Sequence, residues 1–63
     1  MKSDTIKNVA YVTNHGPHRW AIHWYDQLRR AWWEPAYFHH TKKGAVEFMH
    51  EEYAHKQERE RRG

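Results

Sequence analysis

The chain of 63 residues contains no cysteine, only three glycines and two prolines, and no long hydrophobic run. Without cysteine, neither a disulfide framework nor a thiolate zinc site can stabilise a domain of this size. The longest apolar run has four residues, Val9 to Val12, so we expect no membrane-spanning helix and no secretory signal. The sequence therefore predicts a single cytoplasmic domain over residues 1–63, too short for separate cofactor and substrate domains.

Aliphatic side chains are also scarce, whereas aromatic ones are abundant. Two Ile, three Val and one Leu stand against four Trp, four Tyr and two Phe. An aromatic side chain buries about 150–250 Å², so a few of them can form a small core. Aromatic residues also supply much of the binding energy at interfaces. The composition predicts an aromatic core together with an aromatic binding surface.

Positive charge is concentrated in the first two-thirds of the chain. Residues 1–44 carry seven basic and three acidic side chains, a balance of +4, and residues 45–63 carry four basic and five acidic ones, a balance of −1. The sum is the net charge of +3. This asymmetry favours an anionic partner for the N-terminal part, although a solvated surface without a partner is an equally simple explanation.

Alternation of residue types predicts three strands, at 6–13, 19–25 and 29–34. In the second strand, Trp20, Ile22 and Trp24 fall on one face and are expected in the core. The polar stretch 14–17 and the pair at 26–27 are expected turns. In the third strand, strict alternation assigns Trp32 to the core face and Trp33 to the opposite face.

A helix is predicted over residues 42–60, with Thr41 as its N-cap. Its apolar face consists of Ala45, Phe48, Met49 and Tyr53. The first turn, Lys42-Lys43-Gly44, is unfavourable, because the lysines oppose the helix dipole and glycine is a poor helix former. Such a start is typical either of a suboptimal helix or of a phosphate-binding site.

These elements predict an α+β fold, a three-stranded antiparallel meander packed on one C-terminal helix. Trp32 and Phe38 are expected in the core with Trp20, Ile22 and Trp24. The opposite sheet face is expected to be open and to carry side chains that include Tyr11.

The chain resembles a known family in two stretches, Trp20-Ala-Ile-His-Trp-Tyr-Asp26 and Phe38-His-His-Thr-Lys-Lys-Gly-Ala-Val-Glu-Phe48. They are similar to the N-terminal arm-type DNA-binding domains of tyrosine integrases, whose architecture is shared with the plant ethylene-response-factor domain. The resemblance covers about residues 9–54. It implies a three-stranded sheet that lies in the DNA major groove and contacts phosphates and base edges with its outward side chains.

The chain also departs from the family pattern. Its third strand has fewer basic residues than is usual, Glu34 would repel phosphate, and the tip at 26–27 lacks glycine. We also expect no recombinase catalytic domain to accompany it. We therefore expect either a free-standing DNA-binding module or a phage or mobile-element protein that kept the fold and changed its partner.

The sequence predicts a binding protein and not an enzyme, with no cofactor, no bound metal, no small-molecule substrate and no membrane contact. Double-stranded DNA is the first expected partner. A host protein, bound and inhibited through the same aromatic and basic sheet face, is the alternative, with a structural subunit of a larger complex as a third. The predicted contact residues are Arg19, His23, Tyr25, Arg29, Arg30, Trp33, Lys42 and Lys43.

Overall fold

The computed structural model describes residues 2–35 and 37–62, with side chains described up to residue 59. It contains one antiparallel sheet, with strands in the order β1-β2-β3-β4, and a C-terminal helix. The elements are β1 (Thr5–Ile6), β2 (Ala10–Asn14), β3 (Trp20–Asp26), β4 (Ala31–Trp32) and α1 (Lys42–Arg62). The predicted α+β meander with a C-terminal helix is confirmed, with four strands in place of three.

The extra strand arises because the predicted strand 6–13 is broken by a turn. β1 and β2 pair antiparallel, with Ile6 opposite Ala10, so the chain reverses at residues 7–9. Asn8 has φ of 62° in this turn, a left-handed conformation that asparagine adopts more readily than most residues. The alternation of residue types did not reveal the turn, since both flanking segments contain β-branched residues.

The central hairpin follows the prediction closely. β2 and β3 pair over five positions, from Ala10 opposite Trp24 to Asn14 opposite Trp20. The side chain of Asn14 accepts a hydrogen bond from the Gly16 amide at 2.9 Å, and Gly16 has φ of 136°, which favours glycine. β3 begins at Trp20, one residue later than predicted.

The last strand is shorter than predicted and has the opposite facing. β4 covers Ala31–Trp32 in place of 29–34, because residues 27–30 form the hairpin tip. The Asp26 carboxylate accepts hydrogen bonds from the Leu28 and Arg29 amides, at 3.0 and 3.3 Å. Arg30 closes the tip with φ of 54°.

A four-residue tip reverses the predicted facing of the two tryptophans. Trp32 lies opposite Tyr25, and the amide of Trp33 donates to the carbonyl of Trp24 at 2.8 Å. Residues paired across a sheet share a face, so Trp32 lies with Tyr25 and Trp33 lies with Trp24. The assignment of Trp32 to the core and of Trp33 to the open face was therefore wrong.

Phe38 also lies outside the core, contrary to the prediction. The backbones of His39 and Trp20 exchange two hydrogen bonds, of 2.9 and 2.7 Å. His39 thus shares the helix side of the sheet with Trp20, and its ring lies 5.1 Å from that of Phe48. Alternation then places Phe38 on the other side, where it is 41% exposed.

The helix begins where its sequence predicts and extends two residues beyond 60. Ala45, Phe48 and Met49 pack on the sheet as predicted, whereas Tyr53 is half-buried and lies outside the buried cluster. The Thr41 hydroxyl accepts a hydrogen bond from the Gly44 amide at 3.0 Å, which confirms the N-cap. A Cβ atom on Gly44 would lie 3.0 Å from that hydroxyl, so another residue here would require the hydroxyl to shift by a few tenths of an ångström. The buried core between sheet and helix consists of Ala10, Ile22, Ala45 and Met49, with Trp20, Trp24 and Phe48 packed around it.

Candidate binding face of the sheet

The sheet face opposite α1 carries a continuous group of aromatic, histidine and arginine side chains. We call it the open sheet face and define it by eight residues: Tyr11, Thr13, His15, Arg19, His23, Tyr25, Trp32 and Phe38. The register of β2, β3 and β4 gives most of them this facing, since Tyr11 pairs with His23 and Tyr25 with Trp32.

Three contacts between rings stabilise the half of this face that lies nearest the β3–β4 hairpin tip. Tyr11 stacks on His23 with centroids 4.6 Å apart and planes at 12°. Trp32 meets Tyr11 and Tyr25 edge to face, at 4.8 and 5.1 Å. Such offset and edge-to-face pairs are the favourable arrangements of aromatic rings. Trp32 remains 42% exposed, so the packed rings still present an aromatic surface to solvent.

At the centre of the face, one hydroxyl joins two histidines. Thr13 Oγ1 lies 2.8 Å from Nε2 of His15 and 2.8 Å from Nε2 of His23. A neutral arrangement is satisfied when the hydroxyl donates to one imidazole and accepts from the other. Burial lowers the pKa of His23 from its ordinary value of 6.5, and the nearby His15 lowers the pKa further.

The other half of the face is built around Phe38. The guanidinium of Arg19 lies 4.6 Å from the Phe38 ring centroid, a cation–π distance, and the His15 ring lies 5.4 Å away. Ala21, which pairs with Thr13 on this side, has no exposed surface, so neighbouring side chains cover the sheet here. Arg19 lies over the Phe38 ring and remains exposed to solvent, so its charge is available to a partner.

The open sheet face contains no carboxylate, and the acidic residues of the N-terminal part are engaged elsewhere. Asp4 pairs with Lys42 at 3.8 Å, and Asp26 accepts the amides of the tip. Glu34 lines a cleft on the helix side together with Trp33. The face therefore has one permanent positive charge, two ionisable histidines and no negative charge.

The structure brings together only part of the predicted contact set. Arg19, His23 and Tyr25 lie on the open sheet face. Arg29 packs its guanidinium 4.3 Å from the Trp33 ring centroid, so this pair belongs to the helix side of the sheet edge. The assignment of Arg29 and Trp33 to the open sheet face was wrong, because the register of β4 against β3 differs by one residue from the predicted one.

The remaining predicted residues lie outside the face. Arg30 is exposed in the hairpin tip, two positions before Trp32. Lys42 and Lys43 are exposed in the first turn of α1, in the helix layer, where Lys42 pairs weakly with Asp4.

Sequence reasoning missed Thr13, His15, Trp32 and Phe38 as members of this face. Thr13 and His15 follow Tyr11 at every second position, and that spacing was the available signal. Trp32 and Phe38 depend on the tip length and on the pairing of His39. Neither is marked by a glycine or asparagine in the sequence.

The described residues contain neither a metal-binding cluster nor a membrane-spanning helix. Residues 2–35 and 37–62 contain no group of three or more His, Cys, Asp or Glu side chains placed to hold a metal ion. Within the same ranges, no helix combines the length and the apolar character that a bilayer crossing requires.

Comparisons of the chain with known protein families, with curated proteins and with solved structures gave no match. The resemblance to arm-type integrase domains consequently remains a hypothesis that rests on the residue pattern between Trp20 and Phe48.

Proposed function

We propose that the chain is a non-enzymatic DNA-binding module, encoded by a phage or mobile element, that contacts double-stranded DNA with its open sheet face. The observation that carries the proposal is the combination of exposed rings, Trp32 and Phe38, with Arg19 on a face without carboxylates. Arginine neutralises phosphates or reads guanine, and exposed rings stack on bases or wedge between them. A three-stranded reader would correspond to β2, β3 and β4.

The proposed contact set differs from the one read from the sequence. Arg19, His23 and Tyr25 remain in it, and Trp32 replaces Trp33. Arg30 joins them from the tip, where it is held at a positive φ that costs about 1–2 kcal/mol for a residue other than glycine. The four-residue tip requires this conformation, which fixes where Arg30 lies relative to the open sheet face.

The test is the salt dependence of binding to a labelled duplex of about 30 base pairs, followed by fluorescence anisotropy between about 50 and about 300 mM salt. We expect affinity to fall steeply with salt. The double variant Arg19→Ala/Arg30→Ala should weaken binding and flatten the log–log slope by about 1.8, because each lost phosphate contact removes about 0.9.

Arg29→Ala is the matched control, because Arg29 lies in the same tip as Arg30 but packs on the helix-side Trp33. Its binding and its salt slope should equal those of the wild type. Trp32→Ala and Trp33→Ala form a second matched pair, of which only Trp32→Ala should weaken binding. Equal loss in Arg29→Ala and Trp33→Ala, or binding that does not depend on salt, would contradict the proposal.

A second candidate is a host-protein inhibitor that uses the same face. It is favoured by Leu28, which is 97% exposed at the hairpin tip. A large apolar side chain at a tip suits a protein partner. This candidate predicts a complex that survives both nuclease treatment and salt of about 500 mM, where contacts to phosphate are largely screened.

A further inference from the structure

The edge of β3 that faces away from β2 pairs with the chain up to Trp33 and again at His39. The segment between these two points is longer than the stretch of β3 that it passes. Trp33 bonds to Trp24, and His39 bonds to Trp20. Four residue steps separate Trp24 from Trp20 on β3, whereas six separate Trp33 from His39. Pro35 lies in this stretch and has no amide hydrogen to donate. The excess length leaves a cleft of about 360 Å³ between the sheet edge and α1.

The lining of this cleft is aromatic and contains one acidic group. We call it the aromatic cleft and define it by six of its residues: Trp24, Trp33, Glu34, Tyr37, His39 and Phe48. No lysine or arginine is among the described residues that line it. Its volume falls within the range of small-ligand sites, about 300–1,000 Å³.

The rings of the cleft point in different directions. Tyr37 and Phe48 are nearly perpendicular, at 81° with centroids 6.1 Å apart. His39 is tilted by 55° to Tyr37 and by 46° to Phe48, at 5.1 Å from each. These three rings contact one another, so together they form one continuous aromatic surface that a guest in the cleft would meet. The faces of aromatic rings carry negative potential and attract cations.

One of these rings already binds a cation within the chain, since the Arg29 guanidinium lies 4.3 Å from the Trp33 centroid. Arg29 is not among the residues that line the aromatic cleft. Glu34 is exposed and is the one acidic residue among those that line the cleft. Glu34 and the rings that Arg29 does not contact therefore favour a positively charged guest with an apolar surface, while Arg29 occupies one face of Trp33.

We propose that the aromatic cleft binds a methylated ammonium group, as found in choline or in the side chain of trimethylated lysine. Such a group is compact, permanently charged and covered with methyl groups, so it satisfies both the rings and the carboxylate. A plain ammonium group is more strongly hydrated and gains less from aromatic walls. The site lies on the helix side of the sheet and does not depend on the proposed DNA binding.

The test uses the full chain with choline as the first probe, at constant ionic strength and about pH 8. Tryptophan indole NMR signals report on Trp24 and Trp33. We expect saturable shifts of these two signals with choline. The uncharged isostere 3,3-dimethyl-1-butanol has nearly the same shape and should bind at least about tenfold more weakly, as expected when a cation–π contact is lost.

A second arm compares blocked trimethyl-lysine with blocked lysine, and tighter binding of trimethyl-lysine than of choline would assign the group to a protein side chain. Glu34→Gln changes charge without shape and should weaken binding of the methylated probes several-fold, about threefold to tenfold. Glu47→Gln removes an exposed carboxylate of α1 that does not line the cleft, so it is the control and should leave the affinity for the methylated probes unchanged. The melting temperature of each variant confirms that it is folded.

Equal binding of choline and its neutral isostere would overturn the proposal, because the cleft would then be merely apolar. The absence of saturable shifts with both choline and trimethyl-lysine would also overturn it. So would wild-type affinity in Glu34→Gln, since the carboxylate would then make no contribution.

Discussion

His23 concentrates several interactions of the open sheet face in one side chain. It stacks on Tyr11, shares the Thr13 hydroxyl with His15 and is partly removed from solvent. Burial and the neighbouring His15 both disfavour its charged form, so its pKa lies below the ordinary value of 6.5. The folded protein therefore keeps His23 neutral to a lower pH than the unfolded chain does.

This difference predicts that acid destabilises the domain. Between the lowered pKa of folded His23 and 6.5, the unfolded chain binds more protons than the folded one, so the free energy of unfolding falls as the pH is lowered. We expect the melting temperature to fall between about pH 8 and about pH 5.5, and His23→Gln to show a smaller fall, because glutamine does not titrate.

His55→Gln is the control for this measurement, since it removes an exposed imidazole from α1 without touching the open sheet face. Its loss of melting temperature on acidification should equal that of the wild type. If His23→Gln and the wild type lose the same amount, His23 does not carry the pH dependence.

At the scale of elements, the start of α1 depends on an unusual pair, the Thr41 cap and Gly44. The Thr41 hydroxyl approaches the Gly44 amide so closely that a Cβ atom there would lie 3.0 Å from it. In most exposed helical positions, replacement of glycine by alanine stabilises by about 1 kcal/mol. Here the Thr41 hydroxyl would have to shift by a few tenths of an ångström to admit the methyl group, and this shift offsets the gain.

We expect Gly44→Ala to give little or no gain in stability and Thr41→Ala to cost about 0.5–2 kcal/mol. In the Thr41→Ala background, however, Gly44→Ala should stabilise by about 1 kcal/mol, because no hydroxyl remains to be displaced. Urea unfolding of the four proteins measures this coupling. Additive effects across the cycle would mean that glycine is not required by the cap.

The helix and the central hairpin could be predicted from the sequence, because each is marked by a local signal. The helix start at Lys42 could be predicted because Thr41 marks it, and the face Ala45, Phe48, Met49 follows from helical spacing. The pairing of β2 with β3 could be predicted from alternation and from the Asn14–Gly16 turn. In each case the signal lies within a few residues.

The facing of Trp32 and Trp33 could not be predicted, because it depends on whether the tip holds an odd or an even number of residues. The four-residue tip requires a positive φ at Arg30, a residue type that gives no sign of it. The prediction of the candidate site contains the same error in facing. Arg19, His23 and Tyr25 were placed correctly from alternation, whereas Arg29 and Trp33 were placed on the wrong side of the sheet.

For the whole molecule, stability depends on a very small core. The side chain of Met49 projects from α1 towards the sheet and is fully buried. It belongs to the same buried cluster as Ala10 and Ala45, which also have no exposed surface. Small side chains on both layers bring the helix close to the sheet, and Met49 fills the space between them. Few other side chains can compensate for its loss.

Met49→Ala should cost about 2–5 kcal/mol, against a total stability of roughly 3–5 kcal/mol for a core of this size. We therefore expect the variant to be largely unfolded at room temperature by circular dichroism. Glu47→Ala, at an exposed position of the same helix, should stay within about 0.5 kcal/mol of the wild type. A melting temperature of Met49→Ala within about 4 °C of the wild type would contradict this description of the core.

The even-numbered hairpin tip has an evolutionary consequence. Deletion of one tip residue, such as Gln27, would shift the parity of the last strand and exchange the surfaces on which Trp32 and Trp33 are displayed. Because the two neighbours are both tryptophans, either parity leaves one indole on each side of the sheet. Lineages of this protein could therefore gain or lose a tip residue and keep both aromatic surfaces, while the basic residues that accompany each indole change places. Variation in tip length would then change the residues that surround each indole without a change in the fold.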